Sequence, residues 1–420
     1  MKKKIISLLV SLVLAVQMVP AVEAAEVSFE DYIVSKIESR AESIDVTSYM
    51  KKNGWDKSEV MAQYQQVILD NPQLFYVSGG VSYSAKISGS TIKSATLKNF
   101  GYTNTKSEIE AMKKKFDAAA EKALAEIDSS MTDVEKALAL HDYLIINCAY
   151  DTKLKNYDAY DCLVSKSAVC QGYSLAYKYL LNQAGVECEV ITSTSMNHAW
   201  NYVKIGTKWY HVDVTMDDPL FNDNGTKRDF FGNVGHEYFL LSDNAIKKAS
   251  TPHKGWELNG LPKASSTTYN NYFWRDSDAA IVKYGKYWYY LKLNPNSPGL
   301  NYSSTKSNEI QTYLYRYSFS TKKSTKIYTI KSTWKLWSNK NSWYLDSYAR
   351  LAEYNGKIYF NTADSIRYYD VASNKIKTYC KPSTANGYIY GMAVIDGKLK
   401  YTIKTAPTAK DSIKYRTLTQ

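Results

Sequence analysis

Between Asn197 and Val214 the chain alternates apolar and polar residues on either side of Gly206-Thr207. That pattern predicts two antiparallel strands joined by a two-residue turn of the Gly-X type. The turn fixes the register. Ile205 faces Lys208, Trp200 faces Asp213, and His198 faces Thr215. Facing residues share a side of the sheet, and so do residues two apart. His198 and Asp213 are therefore diagonal neighbours on one face. A slip of one residue would send them to opposite faces.

A cysteine lies upstream at an informative position. After Cys170, the residues Tyr173, Ala176, Tyr177, Leu180 and Leu181 recur at helical spacing, and Gly185 is a C-terminal stop. Cys170 falls at the first turn of this helix. Free backbone N–H groups and the helix dipole favour a thiolate there. The Cys170 N–H is also placed to donate to an oxyanion. The second donor stays open among Gln171, Tyr150 and Trp200. A thiol, an imidazole and a carboxylate in this order form a nucleophile, base and orienter set. Each has a packing explanation taken alone. The shared register and the helix start single out Cys170, His198 and Asp213 together.

Three segments carry a family resemblance: Ala168-Val169-Cys170-Gln171-Gly172-Tyr173, Asn197-His198-Ala199-Trp200-Asn201, and Trp209-Tyr210-His211-Val212-Asp213-Val214-Thr215. They resemble the transglutaminase-like superfamily in its exported bacterial form. The resemblance covers roughly residues 130 to 250, with His141-Asp142-Tyr143-Leu144 and Tyr150-Asp151 upstream. It implies a papain-like fold in which Cys170, His198 and Asp213 are the catalytic triad. It implies thiol-dependent acyl transfer on protein or peptide amides through a Cys170 thioester, glutamine-directed in the first instance. A cysteine peptidase or cell-wall amidase is the alternative within enzymes. A non-catalytic surface-binding protein is the alternative of another class. No metal or organic cofactor is implied.

The chain begins Met1-Lys2-Lys3-Lys4, followed by an apolar run from Ile5 to Val19, Pro20, and small residues up to Ala25. This is the layout of a secretory signal peptide, with cleavage after Ala24 or Ala25. An uncleaved anchor is disfavoured because the run is short for a span of about 20 residues. The expected location is secreted or cell surface, with no membrane span after cleavage. The net charge is +12, spread as single lysines among Ser, Thr and Tyr. No nucleic-acid motif accompanies it, so an anionic wall or surface polymer is the expected polyanionic partner. The cysteines other than Cys170 are Cys148, Cys162, Cys188 and Cys380. They show no dense disulfide framework and no zinc spacing, and they read as small buried hydrophobes.

The expected fold class is α+β, in four parts. Residues 1–25 are the signal peptide. Residues 26–128 are an N-terminal α+β region, helical up to Asn71-Pro72 and then a hairpin within 74–102. Residues 129–262 are the transglutaminase-like catalytic domain, whose helix is announced by Thr132 and Glu135 as a capping box. Residues 263–420 are a Tyr-rich all-β domain. There Lys283–Tyr290, Glu353–Phe360 and Ile395–Tyr401 look alike, and Leu314–Tyr328 resembles Ile366–Tyr379. This suggests degenerate blade-like repeats of uncertain closure. The aromatic residues read first as strand packing and second as a wall-binding surface. His141 is read as a packing histidine, and His211, His236 and His253 as structural. Asp217, Asp218, Asp223 and Asp229 are read as a solvated acidic loop rather than a calcium site.

Overall fold

Short polar side chains set the first helix starts. Ser28 accepts from the Asp31 N–H at 3.0 Å and opens α1 (Phe29–Glu38). A short strand β1 (Ser43–Asp45) and α2 (Thr47–Asn53) follow. Asp56 and Glu59 form a reciprocal capping box at the start of α3 (Lys57–Asp70). The segment read as helical throughout thus contains one strand. It exists because Ser43–Asp45 pair with the far end of a hairpin, β2 (Ser82–Ser88) and β3 (Thr91–Lys98), in the order β1-β3-β2. Ile33, Ile37, Ile44, Val60, Tyr64 and Leu97 fill a core of their own between these helices and this sheet. The computed structural model describes residues 27–77, 80–223, 226–229, 231–258, 260–300, 309–334, 347–382, 387–405 and 413–418. The leader expected at 1–25 lies outside them. Among the described residues, no helix is long and apolar enough to cross a membrane.

Helix α4 (Lys106–Leu124) starts at a Thr105–Glu108 capping box. Helix α5 (Asp133–Asn147) starts where the Thr132 N–H donates to the Glu135 carboxylate at 3.0 Å. The chain then makes β4 (Ala149–Tyr150), a π-helical turn at Asp161–Ser165, and β5 (Ser167–Ala168), which runs parallel to β4. Helix α6 (Cys170–Gln183) packs on α5 on one side. On the other it meets the antiparallel sheet of β6 (Cys188–Ser193), β7 (His198–Ile205) and β8 (Lys208–Val212), in the order β6-β7-β8. A small hairpin, β9 (Leu220–Asp223) and β10 (Thr226–Asp229), and the short α7 (Asp243–Ile246) complete this part. Buried Lys178 on α6 pairs with Asp70 at the end of α3 and with Glu189 on β6. This ion pair ties the N-terminal core to the central one.

The C-terminal region is built of antiparallel sheets. The first holds β11 (Val282–Tyr284), β12 (Tyr287–Leu293), β13 (Ile310–Ser318) and β14 (Lys323–Ser332). The second holds β15 (Leu351–Tyr354), β16 (Lys357–Asn361), β17 (Ile366–Asp370) and β18 (Lys375–Cys380). The third holds β19 (Tyr388–Ile395), β20 (Lys398–Lys404) and β21 (Ile413–Thr417). Each of the three similar sequence segments forms a hairpin at the start of one sheet. Tyr289, Tyr359 and Tyr390 are buried between strands, which is the packing role read for the aromatics.

Among the described residues, the largest apolar cluster runs across the central and C-terminal regions. It joins Leu138, Tyr173, Leu180, Val203 and Val212 to Trp274, Ile281, Trp288, Tyr290 and Tyr317. The Trp288 indole N–H donates to the Glu135 carboxylate at 2.8 Å. A buried polar chain crosses the same seam. His141 contacts Asp217 at 3.1 Å and Asp142 at 2.8 Å, and His236 contacts Asp142 at 3.1 Å. The Ile281 N–H donates to Asp142 at 2.7 Å, and His236 donates to the Ser277 carbonyl at 2.9 Å. Asp217 and Asp218 are therefore buried and bonded, which corrects the solvated-loop reading. Asp218 accepts from the Tyr173 hydroxyl at 2.5 Å. The side chains of Asp223 and Asp229 lie outside the described residues.

Two outcomes follow. A chain ending at Pro262 loses Trp274, Ile281 and Trp288 from its core. Truncating a single buried aromatic costs roughly 3–5 kcal/mol, so this chain should show no cooperative melt and should bind a hydrophobic dye. A cooperative melt matching the full chain would contradict the shared core. The second outcome concerns pH. Burial would lower the His141 pKa, but Asp142 and Asp217 outweigh it and push it up to about 9 from 6.5. Its contribution to stability is complete below pH 6.5 and disappears as pH rises through about 9. Urea stability should fall across that window, and His141→Gln should flatten the fall. An equal slope in the variant would remove His141 as its cause.

Candidate active site

Gly206 adopts φ +60, as the first position of the expected turn requires. Ile205 pairs with Lys208 and Asn201 with Val212, the register read from the sequence. His198 opens β7, and Asp213 directly follows β8. Their side chains meet with Nε2 to Oδ2 at 2.6 Å. Asp213 is fully buried and its Oδ1 accepts from the Met216 N–H at 3.0 Å. With Nε2 held by Asp213, Nδ1 of His198 is the nitrogen left for Cys170.

Cys170 is the first residue of α6, following Val169 in extended conformation. At that position its N–H has no intrahelical acceptor. Burial opposes its ionisation, but the His198 hydrogen bond and charge, with the Ala199 N–H, bring the thiol below its ordinary pKa. Burial likewise acts to lower the His198 pKa. The Asp213 charge and hydrogen bond and the Cys170 sulfur outweigh it and raise it to about 10. Burial also acts against the Asp213 anion, yet His198 and His253 hold it well below the usual carboxylate range. All these directions favour a thiolate–imidazolium pair beside a permanent carboxylate. Burial pushes the thiols of Cys162, Cys188 and Cys380 the other way. All five cysteines are free.

His253, read from the sequence as a structural histidine, reaches the site. Its Nε2 lies 2.8 Å from the same Asp213 Oδ2, and its Nδ1 lies 3.0 Å from the Thr251 carbonyl. It comes from a loop 40 positions downstream, so neither periodicity nor register pointed to it. Trp200 is corrected as an oxyanion donor. It is fully buried, and its indole N–H donates to Nδ1 of His211 at 3.0 Å. His211 in turn faces Asp243 at 2.9 Å, and burial lowers its pKa, so it is a neutral link in the wall behind His198. Trp200 stacks against the His198 ring with centroids 5.7 Å apart.

The cleft over Cys170 has a volume of about 350 Å³ and is lined by Tyr150, Gln171, Thr192, Asn197 and His198 among others. Tyr150 and Gln171 remain as donors beside the Cys170 N–H. One rim is the segment 151–158. The Asp151 carboxylate accepts from the N–H groups of Lys153, Lys155 and Asn156 at 2.9, 2.7 and 3.1 Å. The Asn156 carbonyl accepts from the Val169 N–H at 2.9 Å, immediately before the thiol. A Cβ on Gly172 would approach the Asp158 carbonyl to 2.9 Å, so the first turn of α6 fits against this rim only with glycine. His198, Asp213 and His253 cluster closely enough to meet a cation. Their hydrogen bonds already use Asp213 Oδ2 and both Nε2 atoms, so the group reads as a proton network.

Iodoacetamide should therefore alkylate Cys170 at least roughly tenfold faster than Cys188 in the folded protein. The Cys170 rate should fall as pH drops through its lowered pKa. In His198→Ala that midpoint should move upward. Mass spectrometry of the labelled peptides reads both. Equal rates at the two cysteines, or an unmoved midpoint, would dismiss the activated thiol.

Residues 121–214 match the transglutaminase-like superfamily. This stretch runs from α4 through Asp213. Kyphoscoliosis peptidase of Homo sapiens is 25% identical over 169 residues, covering 35% of this chain and 25% of that protein. Kyphoscoliosis peptidase of Mus musculus is 24% identical over 160 residues, covering 33% and 24%. The chain thus spans about a quarter of the length of these curated relatives. A solved structure described as "Crystal structure of a TGase" aligns at 16% identity with a TM-score of 0.24, covering 37% of this chain and 47% of that one. The helix that begins at Cys170 and the hairpin that joins His198 to Asp213 lie within the stretch that matches the transglutaminase-like superfamily.

Proposed function

We propose that the protein is an exported thiol acyltransferase acting on protein or peptide amides, with Cys170 as nucleophile, His198 as base and acid, and Asp213 as orienter. The observation that carries this reading is a thiol at a helix start that shares one cleft with His198, whose Nε2 meets Asp213 Oδ2 at 2.6 Å. In the first step the Cys170 thiolate attacks the amide carbonyl and forms the S–C bond. The carbonyl electrons move to oxygen, where the Cys170 N–H and a second donor from Tyr150 or Gln171 face the charge. The C–N bond breaks as the His198 imidazolium delivers its proton to the leaving nitrogen. A thioester and ammonia or an amine result. Neutral His198 then takes a proton from an incoming amine, which attacks the thioester and restores the thiolate. Glutamine is the first choice of acyl donor.

Hydrolysis is the second reading. The human and mouse relatives carry the name peptidase, and water in place of the amine completes the same cycle. Export rests on the leader-like first 25 residues, and the C-terminal sheets are proposed to hold the enzyme against an anionic surface polymer. The test combines a glutamine-containing protein with a biotin-labelled primary amine. Label incorporation that Cys170→Ala abolishes supports transfer. Unlabelled fragments dependent on Cys170 support hydrolysis and overturn transfer. Neither product in any condition overturns the enzyme reading.

A further inference from the structure

Exposed large apolar side chains are few among the described residues, and two of them sit on the Cys170 cleft. Leu154 is 56% exposed and Tyr157 is 47% exposed, and both line the cleft. The backbone holds them outward. Leu154 has φ +54, a conformation that a bulky side chain rarely adopts. The Asp151 carboxylate bridges the segment from Lys153 to Asn156, and the Tyr157 hydroxyl donates to the Leu154 carbonyl at 2.7 Å. The rim is thus fixed in shape. The same cleft also has polar lining residues, Thr192, Thr194 and Asn197. Apolar surface held in water beside a nucleophile marks a binding position.

We infer that Leu154 and Tyr157 form a specificity subsite that takes an apolar or aromatic group next to the amide attacked by Cys170. This rests on the reading of Cys170 as an activated thiolate. The occupant is a substrate side chain. The subsite shares one cleft with the thiol. The hydroxyl and amide groups of Thr192, Thr194 and Asn197 in the same cleft are left to face the polar backbone of the substrate.

The experiment compares two alkylating probes on the full chain: iodoacetamide and N-(2-phenylethyl)iodoacetamide. With each, the thiolate forms an S–C bond to the methylene carbon and iodide leaves. Each rate at Cys170 is divided by the same probe's rate with free cysteine. The aromatic probe should then lead by roughly tenfold, the scale of an apolar contact in a specificity pocket. Leu154→Asn keeps a residue that tolerates positive φ, and Tyr157→Ser removes the ring. In both, the lead should shrink several-fold, whereas Tyr157→Phe should keep it. A wild-type ratio near one overturns the subsite, as does a lead that survives both variants. If Cys170 reacts with neither probe faster than Cys188 does, the thiolate reading falls and the subsite with it.

Discussion

One buried carboxylate organises the centre of this protein. Asp213 carries its charge with no exposed surface, and a bare carboxylate in that position would be strongly unfavourable. Its solution is three donors: the rings of His198 and His253 on one oxygen and the Met216 N–H on the other. Those contacts come from three different stretches of chain. They fix the ring that faces Cys170, the turn leaving β8, and the loop that carries His253. The chemistry attributed to the thiol depends on this arrangement, because a helix start by itself is worth only about 0.3–1 kcal/mol to a charge.

Sharing Asp213 between two imidazoles also tempers it. A carboxylate with a single histidine partner would concentrate its field there. Here His253 takes part of it, and the His198 ring is further confined by the flat face of Trp200. The ring therefore has little freedom to turn away from the sulfur. The wall continues outward through Trp200, His211 and Asp243, each bonded to the next. Orientation of the base is a property of the whole wall.

The sequence was most informative where one local rule had one geometric answer. Gly206-Thr207 specified a turn, the turn specified a register, and the register put His198 beside Asp213. Cys170 was equally legible, since helical spacing after it and Gly185 at its end left little choice. Capping pairs such as Thr132 with Glu135 marked helix starts correctly. What stayed hidden was distant in sequence. Asp217 and Asp218 look like loop residues because nothing nearby shows that His141, Tyr173 and Tyr238 will meet them. His253 has no periodic context. The seam between Glu135 and Trp288 could not be read from either segment alone. Trp200 looked available as a donor because its diagonal neighbour across the hairpin, His211, had no visible reason to claim it.

The bond from Trp288 to Glu135 spans 153 positions, and that from Ile281 to Asp142 spans 139. Contacts of such separation close late, after shorter loops have formed. During synthesis, the segment holding Cys170, His198 and Asp213 emerges well before Trp288. Its core is missing a wall until then. A chain built this way leaves the core behind α5 and α6 open on one side for as long as it is incomplete. The far end of the molecule thereby sets when the core beneath the Cys170 helix closes.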